Sequence, residues 1–244
     1  MTRWLDLAWP EVEAAVAERP FALLPFGAVE EHGPHLPLGT DVFAADALAG
    51  LISERAGLLE LPTMPYGQVW SLEHFDGSLS VSDDTLIHLV TDVARGLERV
   101  GVRGLVLLSA HLGNAAALKK ATRALEESGG LPAIALTYPG LSAVAGEVRE
   151  SPESHPSIMH ADELETSIML ALDPHRVRME RAVSEYPDYP GHFDVAAVRW
   201  HTVSESGVFG DATAATAAKG DVIVERVVAT AAALISDWKA EVSA

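Results

Sequence analysis

Apolar residues in this chain fall into short unbroken blocks separated by stretches of helical period. Residues 21–27 (FALLPFG) form an apolar block ending in glycine, the pattern of a buried strand that runs into a loop. Residues 42–51 are rich in alanine and leucine and predict a helix with Asp41 near its start. Leu86, Val90, Val93, Leu97 and Val100 recur at helical spacing behind the cap candidates Ser82 and Asp83. Gly101 opens a second strand block, GVRGLVLLSA, which stops just before His111. Residues 115–128 predict a helix closed by Gly129-Gly130, and residues 133–138 a third strand. Residues 161–172 predict a helix ending at Asp173-Pro174. The last long helix fills most of 213–239, with Gly220 a candidate break.

Strand blocks alternating with amphipathic helices predict an α/β domain with a largely parallel sheet. Ligands of such sheets gather beyond the carboxyl ends of the strands. The two richest polar motifs each follow a predicted strand. No internal repeat, low-complexity tract or long Pro/Gly/Ser linker divides the chain, so residues 1–244 read as a single domain.

Composition narrows the chemistry. The 244 residues are 48% hydrophobic and 21% charged, an ordinary globular balance. There is no cysteine, which excludes disulfides, thiolate metal sites and a cysteine nucleophile and fits a cytoplasmic protein. The net charge of −18 disfavours nucleic acid and anionic membranes as partners. Residues 1–10 do not read as a signal peptide. The apolar stretch 227–235 falls short of the ~18 residues that a membrane span needs.

The segment 29–41, VEEHGPHLPLGTD, packs Glu30, Glu31, His32, His35 and Asp41 into one Pro/Gly-rich loop. Imidazole nitrogens and carboxylate oxygens suit zinc, manganese or ferrous iron. Glu30 and His32 alternate in an extended segment and so share a side. Asp41, brought back by the loop, has two oxygens and could bridge two cations. The plainer alternative is a polar turn with Asp41 capping the next helix. The density of donors beyond a buried strand is the argument for a metal site. His111, directly beyond the second strand, is placed to complete a site, although a lone histidine there is as easily a helix cap. In the third motif, 160–167 (HADELETS), acidic residues in a first turn ordinarily complement the helix dipole.

Taken together and in order, these motifs resemble the creatininase family along nearly the whole chain. Glu30 through Asp41 resembles the family pattern E-x-H-G-P-H-L-P-x-x-T-D at every position, and His160 through Ser167 resembles H-A-x-x-x-E-T-S. Residues 206–220 are similar to its glycine-rich C-terminal signature. MPYG at 64–67, followed by Glu73-His74, is a weaker likeness. The resemblance implies a three-layer αβα domain with a largely parallel central sheet and a dinuclear centre of Zn, Mn or Fe(II) hydrolysing amide-type C–N bonds. By the same resemblance Glu30, Asp41 and His111 hold one metal, and His32 and the bridging Asp41 hold the other. Gly113 stands where creatininase itself has a glutamate ligand, and Glu165 is the natural replacement. His160 matches the catalytic histidine, and Trp70, His74 and Asn114 are candidates for substrate binding.

Two departures stand out. The usual N-G-H-G-G-N appears here as Ser109-Ala110-His111-Leu112-Gly113-Asn114, and residues 141–159 contain no tryptophan, which disfavours creatinine itself. The implied mechanism is attack by a metal-bound hydroxide on a cyclic amide, formamide or peptide-like bond, with His160 protonating the departing nitrogen. The implied partners are a small-molecule or short-peptide substrate and further copies of the chain in a hexamer. The competing reading is a non-catalytic α/β binding or assembly protein that retains the family fold.

Overall fold

The computed structural model describes residues 2–243. Its centre is a parallel sheet of β1 (Thr2–Arg3), β2 (Phe21–Phe26), β3 (Leu59–Glu60), β4 (Gly104–Ser109) and β5 (Ala133–Thr137), in the order β1-β3-β2-β4-β5. The described residues also form the helices α1 (Val12–Glu18), α2 (Thr40–Ala56), α3 (Asp83–Arg99), α4 (Ala115–Glu127), α5 (Leu141–Val148), α6 (Glu163–Leu172) and α7 (Ala217–Ser243). A short antiparallel pair, β6 (Ser184–Glu185) and β7 (Gly210–Asp211), lies apart from the main sheet.

The architecture is three-layered because β2 and β4 are apolar on both faces. Phe21, Leu23, Val106 and Leu108 face one way and pack against α2, α5, α6 and α7. Ala22, Leu24, Phe26, Leu105 and Leu107 face the other way, against α1, α3 and α4. Every residue of both strands is buried, as unbroken apolar runs in a doubly covered parallel sheet should be. Among the described residues, no helix is long and apolar enough to cross a membrane.

The expected elements are present, with shifts at their ends that have local causes. Helix α3 starts where the Ser82 hydroxyl accepts from Thr85 N at 3.2 Å. Helix α6 starts at Glu163, two residues inside the expected range, because Asp162 caps it by accepting from Leu164 N and Glu165 N. Helix α7 starts at Ala217 because Asp211 first caps a separate 3₁₀ turn over Ala212–Ala214. It then runs unbroken through Gly220, contrary to the break the sequence suggested. A Cβ at Gly220 would stand 1.9 Å from the Ser167 carbonyl oxygen, so this glycine lets α6 and α7 touch.

Candidate metal centre

Phe26 and Ser109 are paired at the carboxyl ends of β2 and β4, so the two polar loops open side by side on one edge of the sheet. Glu30 and His32 come from the first loop and His111 from the second. Asp41 sits in the first turn of α2, whose N-cap is Gly39; its carboxylate faces the loops rather than capping the helix. Glu165 and His160 arrive from the start of α6 and the residues before it. Between them, Ala161 adopts a left-handed conformation (φ 51°) that non-glycine residues rarely hold, and its N–H donates to Glu165 Oε2 at 2.6 Å.

All six side chains are buried. His111 Nδ1 lies 2.9 Å from Glu30 Oε1 and 3.2 Å from Asp41 Oδ2. His32 Nε2 lies 3.3 Å from Asp41 Oδ1 and 3.6 Å from Glu165 Oε2. These separations bracket the roughly 3.4 Å between donors that share a tetrahedral ion with bonds of about 2.1 Å. Two groups of three donors, Glu30/Asp41/His111 and His32/Asp41/Glu165, thus share Asp41, which turns one oxygen to each. A third group, Glu30/His32/His160, overlaps both.

The electrostatics call for a cation. Glu30, Asp41 and Glu165 face one another, and among the described residues no Lys or Arg pairs with any of them. Glu30 Oε2, His32 Nε2 and Asp41 Oδ2 are buried without a hydrogen-bond partner, each a cost of about 1–3 kcal/mol or more if nothing else satisfies it. Burial disfavours imidazolium at His32 and His111, yet Asp41 with Glu165, and Glu30 with Asp41, outweigh it and hold both pKa values well above the usual value. Burial likewise opposes the Asp41 carboxylate, and the two histidines overcome it and hold its pKa low.

The ring orientations are set from outside the cluster. His111 Nε2 is 2.7 Å from Gln68 O and His32 Nδ1 is 3.2 Å from Glu30 O. In the neutral ring, a nitrogen donating to a carbonyl leaves the other with the lone pair, and in both residues that other nitrogen faces the carboxylates, where a cation would take the place of a proton. Gly113 makes the first of these contacts possible: a Cβ there would lie 2.3 Å from His111 Nε2 and 2.5 Å from Gln68 O. Any side chain at this position would force the His111 ring or the Gln68 carbonyl to shift.

His160 is held differently. Its Nε2 is 2.9 Å from the carboxylate of Glu31, whose other oxygen accepts from Gly33 N, and its Nδ1 is 3.8 Å from Glu30. Burial lowers its pKa, but Glu31 leads the opposing charges and the net direction is upward. Glu31 was in view in the sequence only as one more acid of the loop. Alternation points it away from Glu30 and His32, and nothing local shows that His160 comes round to meet it.

Glu30, His111, His160 and Glu165 line a cavity of about 230 Å³ with Ser71, Leu72, Leu112, Gly113, Ser157, Met159 and Trp200. A groove of about 400 Å³ continues from it, sharing Ser71, Ser157 and Trp200 and passing Trp70 and Phe193. Of the three residues expected to bind substrate, Trp70 lies in that groove beneath the Arg199 guanidinium. His74 is exposed and stacks on His201, outside both cavities. Asn114 is buried and ties loops together, donating to Gly27 O and accepting from Gln68 N.

Comparison with known proteins finds relatives along nearly the whole chain. The family model described as Creatininase: Creatinine amidohydrolase matches residues 5–235. The creatinine amidohydrolase of Pseudomonas putida is 32% identical over 235 residues, covering 90% of each chain. The mycofactocin precursor peptide peptidase of Mycolicibacterium smegmatis is 33% identical over 234 residues, 90% of this chain and 86% of that one. A solved structure described as creatininase Mn superposes with a TM-score of 0.84 at 32% identity, over 97% of this chain and 98% of that one.

Proposed function

Because the chain belongs to the creatininase family, we propose that it is a metal-dependent amidohydrolase with a dinuclear centre. Glu30, Asp41 and His111 would hold one divalent cation, and His32, Asp41 and Glu165 the other, with Asp41 common to both. The observation that carries the reading is the sharing of Asp41 between two donor sets in a buried cluster of uncompensated carboxylates. When bound, a pair of such cations acidifies water toward neutrality and polarises a carbonyl.

The protein's own part is binding, orientation and proton transfer. His160, anchored at Nε2 by Glu31, turns Nδ1 toward the cavity and delivers the proton to the departing nitrogen, a contribution of about 10²–10⁴-fold. Trp200 and Phe209 stand edge-on to its ring at 5.9 and 5.8 Å and exclude water from it. The cavity walls carry serines, leucines, a methionine and a tryptophan but no Lys or Arg, which suits an uncharged amide. The groove beyond Trp200 leaves room for a substituent larger than a single ring, which favours a peptide-like substrate over a compact cyclic amide such as creatinine. The proposed enzyme acts in the cytoplasm as a single-domain homo-oligomer.

The test is metal content per chain, by elemental analysis of protein purified without chelator or added metal, beside His111→Ala. Between one and two equivalents, falling in the variant, supports the proposal. Negligible metal that zinc, manganese and iron all fail to restore overturns it in favour of a non-catalytic protein with the family fold.

A further inference from the structure

A second cavity, of about 450 Å³, lies behind the metal loop. Its floor is residues 34–38, the stretch between His32 and Asp41, and its rim is His175, Arg176, Arg178 and Arg181. No carboxylate is among its lining residues, in a chain with a net charge of −18. Three of the chain's 17 Lys and Arg residues are gathered here.

These guanidinium groups are unequally engaged. Arg176 is paired with Asp173 at 2.7 Å and stacks on Phe43. Among the described residues Arg181 meets only Glu180, at 4.0 Å between two exposed side chains, a separation that stabilises little. Arg178 forms no ion pair among the described residues, and its backbone N–H is fastened to His35 O at 2.9 Å. In the floor, His35 is buried, donates to or accepts from Thr166 Oγ1 through Nε2, and leaves Nδ1 without a partner.

We propose that this cavity is a binding site for a small polyvalent oxyanion, a phosphate ester or a polycarboxylate. Arg178 and Arg181 hold its oxygens through their paired N–H groups, and the His35 ring closes the floor. Planar guanidinium forks match carboxylate and phosphate oxygens two at a time, which a scattered positive surface does not. The site is separate from the acidic cluster and does not depend on that cluster's being catalytic.

Calorimetric titration of the metal-loaded protein at low ionic strength tests this, with inorganic phosphate in one arm and tricarballylate in the other. Saturable binding in either arm, weakened at least tenfold by the double substitution Arg178→Ala/Arg181→Ala, is the expected result, and the stronger arm names the oxyanion. The two side chains are exposed, so the double variant should unfold at the same midpoint as the parent when no anion is present. His111→Ala, in the metal cluster, should leave the affinity unchanged. Absence of binding in both arms, binding indifferent to the double substitution, or binding lost in His111→Ala overturns the proposal. The last outcome would place the anion on the metals.

Discussion

Glu163 offers a test of how the start of α6, which carries His160 and Glu165 to the cluster, is held in place. Its carboxylate is fully buried and accepts from Ser151 N at 2.8 Å, Ser151 Oγ at 2.5 Å, Glu150 N at 3.0 Å and Lys219 Nζ at 2.5 Å. Burial alone would raise its pKa, but Lys219 and the Ser151 and Glu150 donors bring it down to about 2 from 4.5. A shift of this size corresponds to about 3 kcal/mol favouring the ionised folded state. Because the folded value is depressed, that stability is present above pH 4.5 and is lost as the pH falls from there through about 2. Glu163→Gln removes the charge, sets an amide N–H against donors and leaves Lys219 with only Glu150 and the Ala214 carbonyl.

The expected loss at pH 7 is about 3 kcal/mol, or roughly 6–12 °C in Tm for a domain of this length. The assay is urea unfolding of parent and variant at intervals from pH 7 to pH 2.5. The gap between them should hold steady down to about pH 5 and then narrow. Neighbouring Asp162, which burial pushes up to about 6 against the pull of Arg149, bends both curves in the opposite sense and largely cancels in the difference. A variant as stable as the parent at pH 7, or a gap of 3 kcal/mol that does not shrink in acid, would refute the reasoning.

Four further substitutions probe the site and the packing beneath it. His160→Ala should retain its metal while turnover falls by about 10²–10⁴-fold; loss of metal would instead make His160 a third-group ligand with Glu30 and His32. Asp41→Asn should empty both halves of the cluster, and metal content equal to the parent's would end the bridging role. Gly113→Ala should break the His111–Gln68 contact and weaken one metal by about 10–100-fold, read as partial occupancy at limiting metal; full occupancy would show that the ring needs no such support. Gly220→Ala should force α6 and α7 apart at a cost of at least about 1–3 kcal/mol, measured by urea unfolding.

The order of elements and the three-layer class were legible in the chain because β2 and β4 are unbroken apolar runs and α3 and α4 have clear helical periods. β1 and β3 have two residues each, too few for any pattern, and exist only because longer neighbours offer them an edge. α5 and α1 are short helices whose burial comes from the layers they join. The Glu30, His32 and Asp41 set is local, separated by one loop, so spacing made it a candidate cluster while leaving a polar turn capped by Asp41 as the alternative. That His111 and Glu165 reach the same point depends on β2 and β4 being paired in register and on α6 packing over them, which spacing along the chain cannot express. Glu31 meeting His160 across 129 residues, and Gly113 and Gly220 as points of contact rather than breaks, are likewise decided by tertiary structure. Chemical identity of donors is a property of sequence, whereas which donors share an ion depends on distances that only packing sets.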